Sequence, residues 1–181
     1  LVRRLREFGV MNGCITDDPA TVDMDALRAF SVKSAVADQS CKQTYVADTP
    51  DAAYNLVLVD YGVSSRLIKT LTGFGCRITV VPYNTSAAEI LALSPDGIVL
   101  SDGHGDPAEN TECVAVLRDL LDSKIPMFGI GMGHLLLALA AGFKTEKLKY
   151  GHRGANQPAR DLSLGRVYIT TQNHGYVVVS E

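Results

Sequence analysis

The chain has 181 residues, of which 46% are hydrophobic and 20% charged, and its formal net charge is −3. At about 150 residues per domain this predicts one domain with some chain left over, and the ordinary globular composition excludes disorder, collagen and coiled coil. The slight acidity argues against an electrostatic nucleic-acid binder, and the longest near-continuous apolar run, Leu135–Phe143, is too short to span a bilayer, so neither nucleic acid nor membrane is an expected partner.

In chain order, Val2, Leu5 and Phe8 suggest a short amphipathic helix. Met11–Thr16 reads as a strand, Asp17-Asp18-Pro19 as a turn and Asp23–Phe30 as another short helix. Residues 31–54 are polar and weakly periodic and read as a connector. The pattern then becomes regular. Leu56-Val57-Leu58-Val59 is a continuous apolar run, as expected of a strand buried on both faces. A helix follows with Val63, Leu67, Ile68 and Leu71 on one face, ended by Gly73 and Gly75. The second strand is Ile78–Val81. The second helix opens with the capping-box spacing Ser86–Glu89 and carries Ile90, Leu91 and Leu93. Ile98–Leu100 is the third strand, and Val114, Leu117, Leu120 and Leu121 mark the third helix. Ile125–Ile130 is the fourth strand. The fourth helix, Leu135–Ala141, is apolar all round and is expected to be buried. Beyond Gly142 the texture turns to β-like pieces, Arg166–Thr171 and Tyr176–Val179.

Alternating strands and helices with short joins imply an α/β fold, a doubly wound and mostly parallel sheet with helices on both faces. The expected division is a remnant of another unit plus the connector over residues 1–50, and the α/β domain over 51–181. The chain starts at Leu1 rather than Met and stops soon after Val177–Val179, which reads as a cut at both ends. The cysteines Cys14, Cys41, Cys76 and Cys113 form no Cys-x-x-Cys pair, so a disulfide framework or zinc knuckle is not expected, and reduced thiols point to the cytoplasm.

Ligands of open α/β sheets sit beyond the carboxyl ends of the strands. That selects the loops Asp60–Gly62, Tyr83–Thr85, Ser101–Pro107 and Gly129–His134. In the third, Gly103 and Gly105 permit a tight turn with bare N–H groups, either an anion cradle or a plain loop. Asp102, His104 and Asp106 also admit a metal-ligand reading, which nothing else supports. In the fourth, His134 stands where a dinucleotide-binding GxGxxG needs glycine, so a nicotinamide or flavin site is disfavoured. A strand-to-helix turn flanked by glycines fits a nucleophile elbow better, with Gly131 at its centre.

These stretches, with Thr171-Gln172-Asn173-His174-Gly175-Tyr176 and Gly151-His152-Arg153-Gly154-Ala155-Asn156-Gln157-Pro158, resemble the small, glutamine-hydrolysing subunits of carbamoyl phosphate synthetases, a branch of the class I glutamine amidotransferases. Met11-Asn12-Gly13-Cys14-Ile15 resembles the end of their N-terminal domain. The resemblance implies a cysteine nucleophile at the elbow, a thioester intermediate, and a later His and Glu pair as base. It implies glutamine as substrate and the large synthetase subunit as partner. No cofactor is implied on this chain, since ATP and Mg belong to the large subunit. By position, Gly103 and Met132 supply the oxyanion N–H groups, and Gly105, Leu135, Asn173, Gly175 and Tyr176 line the glutamine pocket.

The departures fall on the chemistry. The nucleophile position holds Gly131, the usual Gln is Leu135, and Asp102 and His104 replace the family's Asn and Pro. The segment for the His and Glu would lie beyond Glu181. Cys113 and Cys76 are badly placed to substitute as nucleophile. The chain is therefore expected not to hydrolyse glutamine, and a non-catalytic module supporting an ammonia-dependent synthetase is the alternative. An inward-pointing Asp102 carboxylate would oppose a developing oxyanion. His134 and His174 read as structural, and His152 with Lys147, Lys149 and Arg153 as a basic patch, either solvated or partner-docking.

Overall fold

The computed structural model describes residues 1–179. In chain order it runs α1 (Val2–Phe8), α2 (Met24–Ala29), α3 (Ala35–Gln39), β1 (Tyr45–Ala47), β2 (Tyr54–Asp60), α4 (Ser65–Gly73), β3 (Cys76–Pro82), α5 (Ala87–Ala92), β4 (Gly97–Leu100), α6 (Thr111–Leu121), β5 (Met127–Gly129), α7 (Met132–Ala140), β6 (Lys144–Asp161) and β7 (Arg166–Val179). The chain forms two compact units. One comprises residues 1–32 and 147–177, the other residues 33–146 with the chain end from Val178. These units do not follow a boundary at residue 50.

The second unit is the expected α/β fold. Its sheet has the order β1-β3-β2-β4-β5, parallel throughout except for β1, which runs antiparallel to β3. Each apolar strand divides its side chains between two layers, because successive residues face opposite sides. Val57, Val59, Ile98 and Leu100 pack with Ile90, Leu117, Leu120 and Leu136 from α5, α6 and α7. Leu58, Ile78, Val80 and Val99 pack with Val63, Leu67, Ile68 and Leu71 around α4. Burying each such side chain stabilises the fold by about 1.5–3 kcal/mol. The capping box opens α5 as the sequence indicates, with the Ser86 hydroxyl accepting from Glu89 N–H and the Glu89 carboxylate accepting from Ser86 N–H. Helix α7 is buried or half-buried except at His134.

The structure departs from the sequence reading in four places. Residues 33–47 are more than a connector: Val36 of α3 is buried, the Ser40 hydroxyl accepts from Tyr83 N–H at 3.0 Å, and β1 caps the sheet. A short edge strand buries little, so its sequence stays polar. Met11–Thr16 forms no strand; it is exposed throughout, and Ile15 projects fully into solvent. The fourth strand shrinks to Met127–Gly129, and Phe128, in register with Val99, is 65% exposed. The β-like pieces beyond Gly142 are parts of one long pair, β6 and β7, joined by the turn Leu162–Gly165. The Asp161 carboxylate shapes that turn by accepting from the N–H groups of Ser163 and Leu164 at 2.8 and 3.0 Å.

In the first unit, Tyr150 of β6 donates its hydroxyl proton to the Arg6 carbonyl, and Val10 N–H reaches the Lys149 carbonyl at 3.1 Å. The Asn12 amide donates to the carbonyls of Leu27 and Phe30 at 3.0 and 2.6 Å, fastening the end of α2.

Candidate functional site

The strand order creates a crevice. From β2 the chain passes outward to β3, then crosses back to β4 on the other side of β2, so the loops leaving β2 and β4 diverge at their carboxyl ends. Those loops are Asp60–Gly62 and Ser101–Gly105. The loop from β5 into α7, with Gly131, opens beside them.

Buried polar groups hold this end of the sheet. The Asp60 carboxylate is 4% exposed and accepts three backbone N–H bonds, from Cys41, Gly62 and Val63 at 2.8, 2.9 and 2.7 Å. It is thus satisfied as a structural anchor. Ser101 is fully buried; its hydroxyl accepts from Tyr61 N–H at 2.9 Å and donates to the Asp102 carbonyl at 2.8 Å. The Ser101 carbonyl accepts from Gly133 N–H at 3.0 Å, tying the loop after β4 to the first turn of α7. Close backbone approach explains the glycines. A Cβ on Gly103 would stand 2.3 Å from the Tyr61 carbonyl oxygen, and one on Gly133 would stand 2.4 Å from that of Leu100.

At the elbow, Gly131 has φ 50° and ψ −110°, a conformation that disfavours any side chain. Gly103 N–H and Met132 N–H, the expected oxyanion donors, are brought together on a single acceptor. Both donate to Oδ1 of Asp102, at 2.8 and 3.1 Å. An oxyanion hole needs donors about 2.7–3.1 Å from the anionic oxygen. The pair therefore has oxyanion-hole geometry, with a carboxylate oxygen of the chain itself at its focus. The position that a Cβ of residue 131 would take lies 1.9 Å from the same Oδ1.

The other singled-out residues of this unit fall around the elbow. Leu135 is buried one turn into α7, and His134 beside it is exposed. Gly105 lies on the wall of a polar cavity of about 260 Å³, with Lys33, Tyr83, His104, Asp106 and Glu112. Asp106 is also a cap, accepting from Ala108 N–H at 2.9 Å. Among the described residues no cluster of three or more His, Cys, Asp or Glu is placed to hold a metal ion. Cys113 sits in α6, 1% exposed, and burial followed by the nearby Glu112 pushes its thiol up to about 12, so it stays protonated and unreactive. Cys76 opens β3, at the amino end of the sheet. Burial, then the Asp60 carboxylate, raises the Cys41 thiol as well.

Asn173, Gly175 and Tyr176 lie on β7 in the other unit. There Arg153 donates to Asn173 Oδ1 at 2.8 Å. His174 has one ring nitrogen 2.9 Å from the Tyr176 carbonyl and the other 2.8 Å from Gln172 Oε1. His152 meets it edge to face, with 3.3 Å between ring nitrogens. His152 and Arg153 of the basic patch thus engage neighbours on their own hairpin. Sequence reasoning missed Ser101 and the structural task of Asp60. The available signal was a small hydroxyl and a carboxylate directly at the ends of apolar strands.

A mostly parallel α/β sheet with a glycine elbow and two convergent amides at its carboxyl end defines an amidotransferase-like protein. Residues 57–181 match the family "Glutamine amidotransferase class-I", and the chain belongs to that family. It is 44% identical, over all of its length, to a carbamoyl phosphate synthase small chain of Bacillus cereus, and covers 49% of that relative. It is 41% identical to that of Pseudomonas putida over 98% of its length, covering 53% of the relative. The chain thus spans about half the length of the curated relatives it matches. In fold it is similar to a crystal structure of a GMP synthase subunit from Thermoplasma acidophilum, at TM-score 0.60 and 23% identity, over 70% of this chain and 67% of that one.

Proposed function

We propose that this chain is the amidotransferase portion of a carbamoyl phosphate synthase small chain, and that it does not itself hydrolyse glutamine. Its small-chain relatives support the first part. The family reaction releases ammonia from the glutamine side chain for a large subunit that makes carbamoyl phosphate with ATP. The second part is carried by Gly131. Thioester chemistry needs a nucleophile at the elbow, and glycine offers no side chain to attack the amide carbon. The two N–H donors alone would supply only the residual electrostatic part of catalysis, and a carboxylate already sits on them.

Gly131 also favours a second reading, a non-catalytic module that supports or regulates an ammonia-dependent synthetase from a cytoplasmic small-chain position. One experiment addresses both. Ammonia release from glutamine is measured for the chain alone and with the large subunit of a carbamoyl phosphate synthetase, and carbamoyl phosphate formation from added ammonia is followed in parallel. Background glutaminase activity is expected. Turnover of glutamine above background would overturn the proposal. Stimulation of the ammonia-dependent reaction without glutamine hydrolysis would select the second reading.

A further inference from the structure

We infer that the Asp102 carboxylate closes the paired amide site of the elbow from within, and that it can do so only because residue 131 is glycine. The inference rests on the reading of residues 129–134 as an elbow that has lost its nucleophile. Oδ1 of Asp102 takes both donors, Gly103 N–H and Met132 N–H. The Cβ that any other residue would place at position 131 falls 1.9 Å from Oδ1 and 2.5 Å from Cγ of Asp102, inside the closest approach of real atoms. Carboxylate and side chain therefore exclude one another.

The carboxylate is the one to leave. Asp102 is exposed, and its carboxyl is the free end of a short side chain, so rotation about its own bonds carries it into water. The elbow backbone has no such freedom, because Gly133 is pressed against Leu100 and bonded to Ser101. Two arrangements follow. With Gly131, the carboxylate is in and the donors are taken. With a side chain at 131, the carboxylate is out and the donors face solvent. In the first arrangement the site offers a negative charge where a substrate's developing anion would need to sit. Asp102 is thus a blocking residue, and positions 102 and 131 form one functional unit although they lie far apart in the chain.

Amide hydrogen exchange, followed by NMR on the folded 181-residue chain, tests this directly. Asp102→Ala removes the acceptor and should speed exchange at both Gly103 and Met132 by about fivefold or more, the equivalent of one modest hydrogen bond. Asp102→Asn, which keeps an acceptor oxygen without the charge, should restore part of the protection. Gly131→Ala should speed the same two amides by evicting the carboxylate, and the double variant should add nothing to either single change. Rates within twofold of the unaltered chain in Asp102→Ala, or additive effects in the double variant, would overturn the inference. If Gly131→Ala does not fold, the two Asp102 variants decide alone. A denaturation cycle gives a second measure. Gly131→Ala should lower the folding equilibrium constant at least about fivefold more with Asp102 present than in the Asp102→Ala background. Backbone strain at residue 131 enters both arms and cancels, so equal losses would overturn the inference. Glutamine turnover by the unaltered chain would instead overturn the parent reading, and it is measured separately from these rates.

Discussion

Replacing Ser101 by alanine tests whether one hydroxyl holds the two crevice loops together. Ser101 is fully buried and Tyr61 is 1% exposed, so water does not reach the bond between the Ser101 hydroxyl and Tyr61 N–H. Alanine leaves that N–H without an acceptor, at a cost of about 1–3 kcal/mol for a buried unsatisfied donor. The Asp102 carbonyl loses its donor too, but Asp102 is exposed and water replaces it at little cost. The net expectation is a loss of about 1–3 kcal/mol, read in urea denaturation by circular dichroism as a lower midpoint with an unchanged slope. The control is Thr70→Ala. It removes a hydroxyl that donates to the Arg66 carbonyl at 2.9 Å on the exposed side of α4, and should stay within about 0.5 kcal/mol. If Ser101→Ala proves as mild as Thr70→Ala, the hydroxyl does not pin the loops and the account of the crevice fails.

Gly133→Ala should be more severe than most glycine changes, losing about 1–3 kcal/mol or failing to fold, because the new Cβ meets the Leu100 backbone at 2.4 Å rather than a yielding side chain; thermal denaturation reads it, and a neutral result would contradict the packing described. Cys113 ionises near 12 in the folded chain against an ordinary 9.0, so the unfolded chain sheds this proton first. Stability from this thiol is therefore complete below pH 9 and lost progressively as pH rises toward 12. Cys113→Ala should flatten the fall between those values in a pH series of urea midpoints. In the native chain at neutral pH, a thiol reagent should modify the exposed Cys14 and leave the buried Cys113 intact; mass spectrometry of the modified peptides checks it.

The parallel strands were legible because strands covered on both faces read as apolar runs. Leu56–Val59, Ile78–Val81 and Ile98–Leu100 all lie within strands of the sheet. The capping box at Ser86 was legible for an equally local reason, since its partners are only three residues apart. Strand β1 was not, because an edge strand half in solvent carries no apolar pattern. Neither was the length of β6, whose glycines and Pro158 interrupt any local β signal while pairing with β7 sustains the strand.

The candidate site divides in the same way. The amino-acid sequence alone determined which residue types stand at the elbow, and therefore that Gly131 brings no nucleophile; chemistry of that kind is read from identity. It also placed Gly103 and Met132 as a donor pair. Where the Asp102 carboxylate points was decided by the tertiary structure. Asp102 meets Met132 only because β4 and β5 lie side by side and Gly133 lets α7 press against the end of β4. A side chain's direction is set by the backbone and neighbours around it, and here those neighbours come from a distant part of the chain.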